Sequence, residues 1–171
     1  MKNNQAPYLL TILQNTAFNE GEHWQTKTYS AGQTVLTEGD DTSSLYLILN
    51  GRARVVANIT LNSEKTIHPG FKDLTQYDIF GELSFINNQR HSTNITAVTD
   101  CEIAVIENKH LEQFLNSHPE HGLAFYKEIA RTLALRLNAT NTKAFSLLAW
   151  GLNYQGIDLS LIHTCRCRPR G

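Results

Sequence analysis

The chain has 171 residues, 41% of them hydrophobic and 18% charged, with a formal net charge of −1. This length fits one domain with a substantial core, and this balance is ordinary for a soluble globular protein without an electrostatic footprint for nucleic acid. Its apolar runs are too short to cross a bilayer and its N-terminus has no signal-peptide segment, so we expect a cytoplasmic protein without membrane contact.

The N-terminal part predicts a short helix at 7–17, where Leu9, Ile12 and Leu13 follow Pro7 at helical spacing. Segments rich in β-branched and aromatic residues then predict eight strands, at 26–29, 34–37, 45–49, 52–57, 65–68, 74–79, 94–98 and 102–106. Asn50-Gly51 between two of them predicts a β-hairpin, since both positions of such a turn need positive φ. Short strands at this spacing indicate a sandwich or barrel.

After residue 107 the apolar spacing becomes helical. Asn108 is a candidate cap for one helix, and Pro119 suits the first turn of a second. The second helix should end near Trp150, where Gly151 can terminate it. The predicted domain therefore spans 1–150, with the strands at about 24–107 and the two helices at about 108–150.

Residues 151–171 form a predicted tail. From 159 onward the sequence resembles translated sequencing-adapter sequence, so we expect 159–171 to be non-native; without its three arginines the charge is 12 − 16 = −4. Its Cys165 and Cys167 fall short of the four ligands of a structural zinc, and we expect no metal site. Cys101 is expected to be a small buried strand residue.

Residues 80–97, Phe-Gly-Glu-Leu-Ser-Phe-Ile-Asn-Asn-Gln-Arg-His-Ser-Thr-Asn-Ile-Thr-Ala, have the features of a phosphate-binding loop that also binds a sugar. Gly81 allows backbone N–H groups to approach an anion. Glu82 can accept a hydrogen bond from a ribose hydroxyl, and a basic side chain further on can balance the phosphate charge.

This segment, with 29–40, 45–55 and 99–102, resembles the cyclic-nucleotide-binding domains of catabolite-activator-type regulators and of the regulatory subunits of cAMP-dependent kinases. The resemblance covers about 8–145. It implies a mainly β fold, a jelly-roll-like β-roll (double-stranded β-helix) with a short N-terminal helix and two C-terminal helices. It also implies that Glu82 accepts the ribose 2′-hydroxyl, and that the cyclic phosphate lies at Gly81, Leu83 and Ser84.

In shorter cassettes of that family the phosphate-binding arginine lies ten residues after the glycine, and here that position is His91. Arg90 stands one residue early. Three alternatives follow: the loop shifts and Arg90 binds phosphate, His91 binds it, or the site no longer binds a cyclic nucleotide. Ser92 is compatible with a further phosphate contact. Thr140 and Asn141 match the two positions that read the adenine in the catabolite activator.

We therefore expect a module that senses cAMP or cGMP, couples ligand binding to movement of the C-terminal helix, and forms a homodimer through 130–150. One alternative is a degenerate roll that serves as an interaction or dimerisation module. Another is the sensor domain of a transcription regulator whose helix-turn-helix is missing from this chain. An enzyme is not expected, because the chain has no His-x-His pair, Gly-x-Ser-x-Gly or Walker loop, and no cofactor is predicted.

Overall fold

In the computed structural model, described over residues 7–56, 59–61, 65–67 and 70–154, one short helix precedes ten strands. The elements of the first half are α1 (Tyr8–Leu13), β1 (Trp24–Tyr29), β2 (Thr34–Leu36), β3 (Ser44–Asn50), β4 (Arg52–Val56) and β5 (Ile59–Leu61). Those that follow are β6 (Lys65–Ile67), β7 (Gly70–Thr75), β8 (Ile79–Phe80), α2 (Glu82–Asn87), β9 (Asn94–Ala97), β10 (Cys101–Glu107), α3 (Asn108–Ser117) and α4 (Pro119–Tyr154).

The strands form two four-stranded antiparallel sheets, in the orders β1-β10-β3-β8 and β2-β9-β4-β7, while β5 and β6 pair with each other. Side chains alternate between the faces of a strand. In β3, Tyr46 and Ile48 therefore join the main core cluster, which also takes residues such as Leu74 and Ile95 from the second sheet. The mainly β roll with a short N-terminal and two C-terminal helices is confirmed.

The chain separates into two compact units, Met1–Glu128 and Ile129–Gly171. All strands of the described part belong to the first unit, and the described part of the second is helical. No helix of the described residues has the length and apolar character that crossing a membrane requires. The predicted tail from 159, with Cys165 and Cys167, lies outside the described residues.

The predicted hairpin at Asn50-Gly51 is wrong. β3 and β4 belong to different sheets, so these two residues carry the chain from one sheet to the other. Gly51 has φ +91°, whereas Asn50 is not among the described residues with positive φ. Glycine is required at position 51 because a Cβ there would collide with the carbonyl oxygen of Asp100.

The predicted strand at 74–79 is divided in two by a tight turn. β7 ends at Thr75, whose N–H donates to Asp78 Oδ2 at 2.7 Å, while the Asp78 N–H donates to the Thr75 carbonyl at 2.9 Å. Between them Tyr77 has φ +68° and donates its N–H to the Ile48 carbonyl. The aspartate closes the turn by bonding to the backbone, which ends the strand. The other predicted strands occur within two residues of their expected bounds.

Three helix boundaries also differ from expectation. α1 ends at Leu13, before Asn15 forms a side-chain turn with the N–H of Ala17. Asn108 is the first residue of α3 and not its cap; its side-chain amide donates to Ser43 Oγ at 3.1 Å. α4 continues through the half-buried Gly151 to Tyr154, because a glycine inside a helix is tolerated at a modest cost.

Candidate functional site

Gly81 stands at the junction of β8 and α2, with φ +82° and ψ 4°. This left-handed conformation favours glycine. A Cβ there would also lie 2.8 Å from the Ser44 carbonyl oxygen and 3.1 Å from Tyr46 Cδ2. The first helical bond of α2, from the Phe85 N–H, ends on the Gly81 carbonyl at 3.1 Å. The sequence-predicted glycine is therefore needed both for the turn and for the close approach of β3.

The next three residues form the first turn of α2 and alternate in exposure. Glu82 is 6% exposed and Ser84 is 4% exposed, whereas the Leu83 side chain faces solvent. The position at the helix N-terminus favours a carboxylate electrostatically. A buried, ionised carboxylate at this position can accept hydrogen bonds from hydroxyl groups.

The two basic residues of the cassette point in opposite directions. His91 is 4% exposed, and its Nε2 lies 2.6 Å from the Thr42 carbonyl oxygen. The Arg90 side chain is 69% exposed and lies 3.8 Å from a carboxylate oxygen of Asp41. Ser92 is exposed. Because the chain returns to the start of the cassette, His91 Cε1 lies 3.4 Å from the Cβ position of Gly81. The structure thus brings Gly81 and His91 together, while Arg90 stays at the surface.

The structure places Thr140 and Asn141 on α4 in the second unit, where both are exposed. Solvent exposure leaves these side chains available to a ligand. Polar side chains on any solvent-facing helix surface are exposed in the same way, so exposure alone does not identify a binding role.

Two aromatic contacts of the first unit were not predicted from the sequence. Phe85 of α2 packs edge-on against Phe125 with ring centroids 5.7 Å apart, and stacks on Tyr126 at 6.2 Å. Tyr46 stacks on Phe80 at 4.9 Å, and burial raises the pKa of its hydroxyl, which keeps it neutral. No signal in one sequence shows that Phe85 and Tyr126 meet.

No group of three His, Cys, Asp or Glu side chains within the described part of the chain is placed to hold a metal ion. Cys101 is buried, and its single S–H can donate to the carbonyl oxygen of Arg52 or of Thr99, each 3.1 Å from Sγ. Its position is that of a core strand residue, as predicted.

Comparison with known proteins gives a consistent result. The chain is 30% identical over 108 residues to lysophospholipase NTE1 of Mycosarcoma maydis, covering 63% of this chain and 6% of that protein. It is 27% identical over 119 residues to the cAMP-dependent protein kinase regulatory subunit of Colletotrichum orbiculare, covering 70% and 28%. It therefore spans less than a third of either relative.

Its fold is similar to a solved cyclic nucleotide-binding domain from Methylobacillus flagellatus, with a TM-score of 0.65 and 24% identity over 72% of this chain and 67% of that one. Residues 26–118, more than half of the chain, match the family described as cyclic nucleotide-binding domain. The β-roll, the glycine–glutamate turn and this match together show that the chain belongs to the cyclic nucleotide-binding domain family.

Proposed function

We propose that this chain is a regulatory module that senses cAMP or cGMP at the 80–97 cassette. The observation that carries the proposal is the turn at Gly81, which presents a buried carboxylate, Glu82, in a member of this family. Glu82 accepts the ribose 2′-hydroxyl in this proposal. The backbone around Leu83 and Ser84 faces the cyclic phosphate.

Arg90 supplies the charge that balances the phosphate, and Ser92 adds a contact beside it. Support for Arg90 over His91 comes from the hydrogen bonds of the two side chains. A carbonyl oxygen can only accept a hydrogen bond, so His91 Nε2 carries a proton and donates it to the Thr42 carbonyl oxygen. Within the described ranges Arg90 forms a long, exposed pair with Asp41, of a kind worth about 0–1 kcal/mol, and a phosphate can replace that partner.

Ligand binding changes the position of α4 through Phe85. Any shift of α2 moves the rings of Phe125 and Tyr126, which lie in the first turns of α4. Two positions of that helix, one favoured by ligand, give a population shift. Thr140 and Asn141 read the base in this proposal.

The same helix forms a homodimer through 130–150 in this proposal. Large apolar side chains there are more than half exposed, namely Leu135, Leu137, Phe145, Leu147, Leu148 and Trp150. Exposed apolar surface of this extent is typical of a partner site. A second chain that presents the same helix covers it symmetrically.

The test is calorimetric titration of the full chain with cAMP, cGMP and 5′-AMP, the last as a control that has the base and sugar but no cyclic phosphate. Saturable heat with one cyclic nucleotide, and much weaker heat with 5′-AMP, supports the proposal. Absence of heat with both cyclic nucleotides contradicts it. A dimer that binds neither would instead identify the degenerate dimerisation module, for which the inward His91 is the supporting observation.

A further inference from the structure

Three hydrogen bonds join His91 to the β2–β3 loop, residues 37–43. The Gly39 N–H donates to the His91 carbonyl at 2.8 Å, and the His91 N–H donates to the Asp40 carbonyl at 3.2 Å. The side chain adds the third bond, from Nε2 to the Thr42 carbonyl at 2.6 Å. The backbone bonds can form with any residue other than proline at position 91, but the third requires a side-chain donor of this reach.

The imidazole ring also fills the space beside the cassette turn. It meets the ring of Tyr46 edge-on at 5.9 Å, and its Cε1 lies 3.4 Å from the Cβ position of Gly81. On its other side Gly81 faces the Ser44 carbonyl, 2.8 Å from the same position. The Gly81 turn is therefore enclosed between β3 and the His91 ring. Because Glu82 is the next residue, the position of its backbone is set by that turn.

The chemistry of this position suits an uncharged donor. Asp40 and Asp41 lie on the loop, Arg90 precedes His91 and Tyr46 lies on β3, yet His91 forms no ion pair with any carboxylate of the described residues. A permanently charged arginine turned inward here would bury a cation without a counter-ion, which is costly. An imidazole ring supplies the N–H and the flat shape without a permanent charge.

We propose that His91 is a positioning residue of the nucleotide site: it fixes the β2–β3 loop to the cassette and holds the Gly81-Glu82 turn, without contacting the phosphate. This rests on the proposed function as far as ligand affinity is concerned. The attachment of the loop itself is a property of the ligand-free protein. The two can therefore be tested separately.

The test compares His91→Gln, which keeps a side-chain N–H of similar reach, with His91→Leu, which keeps the bulk and loses the donor. His118→Leu is the matched control, because His118 Nδ1 also bonds to a carbonyl, that of Phe114 at 3.0 Å, away from the cassette. In ligand-free protein, amide exchange of 37–44 should quicken at least tenfold in His91→Leu and stay near wild type in the other two variants.

Affinity for the cyclic nucleotide that the wild type binds should fall at least tenfold in His91→Leu and recover to within about threefold in His91→Gln. If His91→Leu does not fold, the wild type decides alone: nitrogen-detected NMR should show a protonated Nε2 that exchanges slowly, both with and without nucleotide. A proton on Nδ1 instead, unchanged exchange in His91→Leu, or tighter binding by His91→Arg would overturn the proposal. A wild type that binds no cyclic nucleotide but shows the exchange pattern refutes only the proposed function.

Discussion

Two features of the cassette turn require glycine at position 81: its positive φ and its close approach to β3. Replacing Gly81 by alanine, beside a matched control, separates the two. The left-handed conformation, φ +82°, costs a residue with a Cβ about 1–2 kcal/mol. Gly32 has nearly the same φ, +86°, but apart from its chain neighbours no atom of the described residues lies within 4 Å of its Cβ position, so Gly32→Ala should lose only that conformational term. It is the matched control.

At position 81 the new methyl group would also lie 2.8 Å from the Ser44 carbonyl oxygen and 3.1 Å from Tyr46 Cδ2. The carbonyl belongs to Ser44, which pairs with Glu107 of β10, and Tyr46 two residues later pairs with both β10 and β8, so neither contact can move away without disturbing strand pairing. Overpacking of this kind costs about 1–3 kcal/mol more, which brings the expected loss of unfolding free energy to about 2–5 kcal/mol.

Urea unfolding of the two variants measures this difference, provided that the slope with denaturant is unchanged. Gly81→Ala should lose clearly more unfolding free energy than Gly32→Ala, and it alone should weaken nucleotide binding. Equal losses in the two variants, within about 0.5 kcal/mol, would show that β3 does not enclose the turn and would refute the reasoning.

Further predictions concern the ligand and the assembly. Glu82→Ala should weaken cyclic-nucleotide binding about tenfold or more while the roll stays folded, since a bond to a charged group is worth about 1.5–3 kcal/mol; unchanged affinity in calorimetry would make Glu82 structural only. Cyclic-nucleotide affinity should not change between pH 8 and 6 if Arg90 binds the phosphate, whereas stronger binding at lower pH would assign phosphate binding to His91. Light scattering should find a dimer at tens of micromolar protein, and Leu147→Glu, which puts a charge on the exposed apolar surface, should shift it to monomer; a wild-type monomer contradicts the interface.

Most of the strands could be predicted because alternation and β-branched composition are local properties, whereas β5 was not predicted and β7 begins at Gly70, ahead of the predicted 74–79. Local properties could not decide whether Asn50-Gly51 forms a hairpin, because the sequence does not show to which sheet each strand belongs. Gly51 is required by contact with Asp100, which lies far along the chain and outside the turn itself. Local signals identify a turn, but its partner is fixed by packing between sheets.

The same limit applies to the cassette. Spacing identified the glycine and glutamate, and the structure places both in one tight turn in which the Glu82 side chain is buried. Spacing could not decide between Arg90 and His91, because adjacent side chains of a loop point in directions set by the backbone. Here the deciding partner of His91, the Thr42 carbonyl, is 49 residues earlier in the chain.

The contact of Phe85 with α4 has a consequence for how ligand and assembly affect each other. If the position of α4 changes with ligand and the dimer forms through the same helix, ligand and partner bind linked states of one element. Linkage is reciprocal, so the factor by which nucleotide at both sites strengthens the dimer must equal the product, over the two sites, of the per-site factor by which dimerisation strengthens nucleotide binding. Nucleotide affinity measured well below and well above the dimer dissociation constant should then differ by that per-site factor. Replacing Phe85 by leucine, which keeps an apolar residue but removes the ring contacts, should bring both factors towards one together.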